Sequence, residues 1–243
     1  MRPKLLILGG TSEAATLARR IGGELDVVTS LAGRMTTIPD LPGRLRVGGF
    51  GGAEGLSRYL QEERIAAVID ATHPFARHIS AHALEACRTM GVPLLTLLRP
   101  PWPKEEGDRR IVAADMADAA RQLPSLGSRA FLTIGRQELD AFRDVLQVWF
   151  LVRMIDPPSQ PLPENWQVIL GRPPFDADND RRIMKEHGID VLVTKASGGA
   201  ATHGKILAAR QLGLPVLMID RPQTNSGDSA ASIDEALAWL NNL

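Results

Sequence analysis

The stretch LLILGGTSEAA, residues 5–15, decides the fold of the chain. The apolar run Leu5–Leu8 predicts a buried parallel strand, the two glycines a tight turn, and the polar residues from Thr11 the start of a helix. Such a unit surrounds an anion with backbone N–H groups and the positive end of a helix dipole. The match to G-x-G-x-x-G is incomplete, because Gly9 and Gly10 are adjacent and an alanine replaces the third glycine. An ordinary strand–helix turn is the alternative.

The same alternation of apolar runs and helical patterns continues along the chain. We predict strands over residues 5–8, 25–29, 45–50, 67–69, 93–98, 130–134, 148–155, 168–170, 191–193 and 216–219. We predict helices over 12–21, 53–63, 76–90, 116–123, 138–146, 177–187, 205–212 and 233–240. The fold class is therefore α/β, with two Rossmann-like open parallel-sheet domains and a ligand cleft between them.

The proline-rich, charged segment RPPWPKEEGD, residues 99–108, marks the crossing between the predicted domains. The first domain is predicted to span residues 1–100 and the second residues 101–243. A chain of 243 residues is long enough for two small domains.

Composition excludes several classes of protein. The chain has 28 basic and 28 acidic residues, so we expect neither nucleic acid nor a membrane surface as a partner. No apolar run approaches the roughly 18 residues that span a bilayer. Cys87 is the single cysteine, so no disulfide forms within the chain and we expect a reducing, cytoplasmic location.

The predicted second strand ends in VVTSLAGR, residues 27–34, where an NAD-binding chain would usually place an acidic residue for the ribose 2′-hydroxyl. Ser30 and Arg34 occupy this region instead. An arginine forms the charge-assisted contacts that a 2′-phosphate requires. We therefore expect NADPH as cofactor, bound by Gly9, Gly10, Thr11, Ser30 and Arg34, with a solvated Arg34 as the alternative.

A histidine follows the fourth predicted strand, in DATHPFA, residues 70–76. Open α/β sheets bind ligands at the carboxyl ends of their strands, so Thr72 is a candidate cofactor-binding residue and His73 a candidate catalytic residue. His73 would either position a ligand or donate a proton, and a purely structural histidine is the alternative. We expect no metal site, because His78 and His82 lack the glutamate of HExxH.

The second half has its own anion-binding turn in VLVTKASGGAATHGK, residues 191–205. Ser197, Gly198 and Gly199 offer hydrogen-bond donors at a strand end, and Lys195 and Lys205 add positive charge. An ordinary turn with surface lysines is the alternative.

Three arginines also follow apolar runs in this half: Arg136, Arg172 and Arg221. Cations collected at strand ends in a chain of zero net charge favour a polyanionic ligand, although each taken singly suits a solvated loop.

Several segments together resemble the precorrin-6A reductase family, including its cobalt-precorrin-6A members. They are GGTSEA at 9–14, SLAGR at 30–34, GGF at 48–50, DATHPFA at 70–76, GRPPF at 171–175, TKASGG at 194–199, AAR at 208–210 and RP at 221–222. The resemblance implies NADPH-dependent reduction of one macrocycle double bond of precorrin-6A, or of its cobalt complex, to precorrin-6B in cobalamin biosynthesis. Hydride would go to a ring carbon and a proton to its neighbour. Pro173 stands where the family usually has a small residue.

The resemblance also implies that the first domain binds NADPH and the second a tetrapyrrole polycarboxylate. Neighbouring pathway enzymes would then be partners. A reductase or epimerase with a Tyr-x-x-x-Lys pair is excluded, because Glu63 stands four residues after the sole tyrosine, Tyr59. A cofactor-free, two-lobed tetrapyrrole enzyme or binding protein, similar in layout to uroporphyrinogen-III synthase, remains the alternative. The first glycine turn and Arg34 argue against it.

Overall fold

The protein is described by a computed structural model for residues 2–33, 40–158, 160–222 and 227–243. It divides into two compact units, Met1–Pro100 with Pro222–Leu243, and Pro101–Arg221. Each unit holds one six-stranded sheet in which all neighbouring strands are parallel. The predicted α/β fold with two open parallel sheets is therefore confirmed.

The first unit has the elements β1 Lys4–Leu8, α1 Ser12–Ile21, β2 Asp26–Leu31, β3 Arg44–Val47, α2 Gly52–Glu62, β4 Ile65–Asp70, α3 Arg77–Met90, β5 Leu94–Leu97, β12 Asp228–Ala230 and α7 Ile233–Leu240. Its strand order is β12-β5-β4-β1-β2-β3. Apolar side chains cover both faces of this sheet, with α1 and α7 packed on one face and α2 and α3 on the other. Burial on both sides explains the continuous apolar strands.

The second unit has the helices and strands β6 Arg109–Ala113, α4 Met116–Gln122, β7 Arg129–Leu132, β8 Trp149–Met154, β9 Trp166–Leu170, α5 Ala177–Glu186, β10 Val191–Lys195, α6 Gly204–Gln211 and β11 Pro215–Ile219. Its strand order is β6-β11-β10-β7-β8-β9. The helix predicted over 138–146 is instead a 3-10 helix over Arg136–Phe142. Its buried residues Leu139 and Phe142 are three positions apart, which suits the three-residue turn.

The two sheets exchange their sixth strands. β6 follows β5 in the chain but pairs with β11 in the second sheet, whereas β12 returns to pair with β5 in the first. α7 then packs its Ala236 into the core beside α1, and Arg20 pairs with Asp234 at 2.6 Å. The predicted second domain of residues 101–243 is therefore too long at its carboxyl end, because Pro222–Leu243 belongs to the first unit and buries apolar surface there.

Candidate functional site

The carboxyl ends of β1 and its neighbours bring five of the predicted cofactor residues, Gly9, Gly10, Thr11, Ser30 and Thr72, to one edge of the first sheet. The Gly9 N–H donates to the Ser30 carbonyl at 2.9 Å, and the Ala71 N–H donates to the Leu8 carbonyl at 2.9 Å. The turns after β1 and β4 and the end of β2 are therefore neighbours, as the sequence predicts for a ligand-binding edge.

The glycine turn after β1 has the geometry of an anion cradle. Gly10 has a φ of 112°, and nothing lies within 4 Å of where its Cβ would be. The Thr11 hydroxyl caps α1 by accepting from the Ala14 N–H at 3.1 Å, and it donates to the Ala71 carbonyl at 2.7 Å. Among the described residues, no acceptor is paired with the N–H of Gly10 or Ser12. The turn therefore fits a phosphate, with open space above the glycine and donors at the helix start.

The end of β2 carries Ser30 and no acidic side chain. Ser30 is 6% exposed and lies in register with Arg46 of β3. The Arg46 Nη1 atom is 3.4 Å from the Ser30 Oγ atom. Arg46 is not evident as a candidate from the sequence, because it lies within a weakly apolar edge strand. The predicted Arg34 lies outside the described residues.

The exit of β4 is organised by Asp70, which was not among the residues predicted for the site. Its carboxylate is 3% exposed and accepts from the Thr72 N–H at 3.1 Å and the Thr72 hydroxyl at 2.6 Å. Because its proton is directed to Asp70, the hydroxyl oxygen of Thr72 presents lone pairs. That suits an acceptor for an amide or ribose donor.

His73 is half-buried directly beyond this turn. Its Nδ1 atom accepts from the Phe75 N–H at 3.3 Å, and the two rings lie 5.8 Å apart. Because Nδ1 accepts, a neutral His73 ring carries its proton on Nε2. The local fold thus holds this ring as a donor through Nε2.

Nucleophilic and metal chemistry find little support near this edge. Burial, with a smaller contribution from the charge of Asp70, raises the pKa of the Cys87 thiol to about 12. Cys87 is therefore a core thiol. Within residues 2–33, 40–158, 160–222 and 227–243, no group of three or more His, Cys, Asp or Glu side chains is placed to hold a metal. Over the same residues, no helix is long and apolar enough to cross a membrane.

The carbonyls of the second anion turn, residues 196–199 after β10, accept hydrogen bonds from the side chains of Arg221 and Trp102. Arg221 donates to the carbonyls of Ala196 at 2.6 Å and Ser197 at 3.2 Å. Trp102 donates its Nε1–H to the Gly199 carbonyl at 2.8 Å. Gly198 and Gly199 have φ of 66° and 86°, and no acceptor in the described part of the chain is paired with their N–H groups. Carbonyls held in this way leave a nest of donors for an anion.

The predicted cations of the second unit follow the carboxyl ends of parallel strands. Arg136 follows β7, Arg172 follows β9, Lys195 ends β10 and Arg221 follows β11. Arg172 pairs with Asp156 at 2.8 Å. Lys195 pairs with Glu138 at 3.2 Å, and burial lowers the pKa of its ammonium. The four cations share one edge of the sheet.

Lys205 was predicted to add positive charge beside this turn, and the structure places it in the interior of the second unit. The side chain is 4% exposed, and its Nζ atom lies 5.6 Å from the centre of the Trp102 ring. It belongs to a buried charge cluster with Arg153 and Asp180, in which Arg153 Nη1 is 2.5 Å from Asp180 Oδ1. Lys205 is buried because it lies in the first turn of α6, a helix whose residues are buried on nearly every side.

Comparisons with known proteins agree over almost the whole chain. A family model described as precorrin-6x reductase CbiJ/CobK matches residues 4–241. The chain is 48% identical to a precorrin-6A reductase of Rhodococcus erythropolis, covering 99% of this chain and 98% of that protein. It is 30% identical to a cobalt-precorrin-6A reductase of Salmonella typhimurium, covering 90% and 87%. The solved structure of a CobK precorrin-6A reductase superposes with a TM-score of 0.94 at 41% identity, covering 99% and 96%.

Proposed function

Since this chain belongs to the precorrin-6x reductase family, we propose that it reduces one carbon–carbon double bond of precorrin-6A with NADPH. It is an oxidoreductase of cobalamin biosynthesis that acts on a tetrapyrrole precorrin with a reduced nicotinamide cofactor. The choice of NADPH rests on one observation, the replacement of an acidic residue by Ser30 at the end of β2. The product is precorrin-6B. A cofactor-free enzyme does not agree with membership of a reductase family.

The first unit supplies the proposed cofactor site. The turn at Gly9, Gly10 and Thr11 would hold the pyrophosphate, and Ser30 with Arg34 would face the 2′-phosphate. The open space at Gly10 and the unpaired donors of the turn support this assignment. When bound, the nicotinamide supplies the hydride, and the protein holds it in place.

Thr72 and His73 lie at the β4 exit, where the reacting end of a dinucleotide is expected. We propose that the Thr72 oxygen accepts a hydrogen bond from the cofactor. His73 would position a ligand through Nε2–H, a role supported by the acceptance of the Phe75 N–H at Nδ1. Substrate carboxyl groups or solvent remain available as proton sources.

The second unit supplies the proposed substrate site. The turn of Ser197, Gly198 and Gly199 would bind carboxylates of the macrocycle, with Lys195 beside it. The N–H groups of Gly198 and Gly199 would be the donors, because the Ser197 N–H already donates to the Lys195 carbonyl at 2.7 Å. Arg136, Arg172 and Arg221 add positive charge at the same edge. Lys205, being buried, would act on this turn only from within the fold.

The proposed reaction predicts a measurable cofactor preference. Steady-state reduction of precorrin-6A should show a kcat/KM at least about tenfold higher with NADPH than with NADH. One additional charge-assisted phosphate contact contributes about 1.5–3 kcal/mol, and 1.4 kcal/mol is tenfold. Equal rates with both cofactors would contradict the NADPH assignment while leaving the reductase activity intact. If precorrin-6A is reduced with neither NADPH nor NADH, the assignment of precorrin-6A as the substrate is wrong.

The higher identity to the precorrin-6A reductase than to the cobalt-precorrin-6A reductase favours the metal-free substrate. Parallel assays with precorrin-6A and its cobalt complex test this choice. We also propose a cytoplasmic location, supported by the single buried cysteine, and exchange of precorrins with the neighbouring pathway enzymes.

Lys195→Ala tests the assignment of the substrate to the second unit. The variant should raise the KM for precorrin-6A roughly tenfold or more, since a charge-assisted contact to a carboxylate is lost. The NADPH dissociation constant, followed by fluorescence titration, should stay within about twofold. Lys185→Ala, an exposed lysine near the end of α5, is the matched control and should change neither. A parallel loss of NADPH affinity in Lys195→Ala would move this turn to the cofactor.

A further inference from the structure

We infer that Arg46 is a specificity-determining residue that binds the 2′-phosphate of NADPH. The inference rests on the proposed use of NADPH and adds to it a residue that the sequence did not reveal. Arg46 lies in β3 opposite Ser30 of β2, in register, near the carboxyl end of both strands. In dinucleotide-binding sheets the adenosine ribose meets the end of the second strand, and a nearby arginine accommodates the 2′-phosphate.

The hydrogen bonds of Arg46 leave one side of its guanidinium open. Nη1 donates to the Gly48 carbonyl at 2.5 Å and approaches the Ser30 Oγ atom at 3.4 Å, and Nη2 donates to the Gly49 carbonyl at 2.8 Å. A guanidinium has five N–H donors. Among the described residues no acceptor is paired with the Nε–H, and Nη2 has a second N–H besides the one that Gly49 accepts. In any guanidinium the Nε–H and one Nη2–H point to the same side. Two parallel donors of this kind match two oxygens of a phosphate.

Arg46 is also held in place before any ligand arrives. Its Cζ atom lies 3.7 Å from the centre of the Phe50 ring and 5.2 Å from that of Tyr59. Together with the two carbonyl contacts, these rings fix the planar group, so little side-chain entropy remains to be lost on binding.

The charge of Arg46 lacks a carboxylate partner in the described part of the chain. Arg44, two residues earlier on the same strand, differs in this respect, because it pairs with Glu63 at 2.6 Å. A fixed cation beside a serine hydroxyl, with no counter-ion among the described residues, suits a dianionic phosphate monoester. The neighbouring Arg44 is already neutralised and provides a matched control.

Calorimetric titration with 2′,5′-ADP and 5′-AMP tests the inference on the whole protein. The two probes differ by the 2′-phosphate alone. We expect wild type to bind 2′,5′-ADP more tightly, and Arg46→Gln to weaken 2′,5′-ADP at least about tenfold with 5′-AMP unchanged within twofold. Arg46→Lys, which keeps the charge but not the paired donors, should lose part of the preference. Arg44→Gln should keep the wild-type preference.

Each other outcome has one meaning. The role of Arg46 would be overturned if Arg46→Gln weakens the binding of 2′,5′-ADP and 5′-AMP equally. It would also be overturned if a folded Arg46→Gln variant binds both probes as tightly as wild type. If Arg46→Gln does not fold, an undiminished preference in Arg46→Lys would overturn it. If wild type itself does not distinguish the probes, the proposed NADPH preference fails, and the inference with it. Lowering the pH below about 6, where a phosphate monoester takes up a proton, should reduce the preference in wild type and not in Arg46→Gln.

Discussion

Asp180→Ala is expected to lower the free energy of unfolding by about 3–5 kcal/mol, because it leaves buried positive charge without a partner. Asp180 is fully buried, and its carboxylate touches Arg153, which is 7% exposed and lies over the Phe175 ring at 3.6 Å. Burial raises the pKa of Asp180 and lowers that of Arg153, so for both groups burial outweighs their mutual attraction. Urea unfolding followed by circular dichroism measures the change.

Two further variants separate the buried pair from helix effects. Asp178→Ala removes an exposed carboxylate of the same helix, which pairs with Arg181, and should cost at most about 1 kcal/mol. The double variant Arg153→Met/Asp180→Leu should recover much of the stability, since apolar replacement of a buried pair is often neutral. If Asp180→Ala lowers the free energy of unfolding no more than Asp178→Ala does, the Asp180 carboxylate does not stabilise the fold by neutralising buried positive charge.

His73→Ala is expected to lower kcat/KM for precorrin-6A by roughly 10- to 100-fold, about 1.4–2.7 kcal/mol of transition-state stabilisation. The reason is the loss of a donor held at the β4 exit by the Phe75 N–H. Steady-state kinetics across pH, with thermal unfolding in parallel, distinguishes the possible roles. His78→Ala, an exposed histidine on α3, serves as the control and should behave as wild type.

The size and pH dependence of the His73→Ala effect decide between positioning and proton donation. A loss of about 10²–10⁴-fold, with one titration missing from the pH–rate profile, would make His73 the proton donor. Positioning alone leaves the profile in place, and it is the role we favour, because the substrate carries its own carboxyl groups. Wild-type kinetics with lowered thermal stability would make the histidine purely structural.

The sequence predicted ten of the twelve strands that the described residues form, and the two it missed are β6 and β12. β6 reads RRIVA and β12 reads DSA, and both are edge strands with part of their surface exposed. A strand covered on both faces produces a continuous apolar run, whereas a polar edge strand resembles a loop. The exchange of these two strands between the sheets could not be predicted either, because it follows only from the long-range pairing of β6 with β11 and of β12 with β5.

The candidate site was predictable where one local segment carries it. The turns at Gly9–Gly10 and Gly198–Gly199 combine strand, glycines and helix in a single stretch. The contact from Trp102 to Gly199 joins residues far apart in sequence, so no local pattern reports it. The burial of Lys205 could not be predicted, because α6 lacks a polar face that would distinguish its exposed positions from its buried ones.

The exchanged edge strands impose an order of events during protein synthesis. Residues up to Leu97 supply β1 to β5, but β12, which covers the edge of β5, begins only at Asp228. At about 5–20 residues per second, β5 leaves the ribosome on the order of ten seconds before its last neighbour. Over that interval the nascent first sheet has an open edge, and the α7 side of its core is bare. The first unit is therefore synthesised first but is completed only when β12 and α7 have been made.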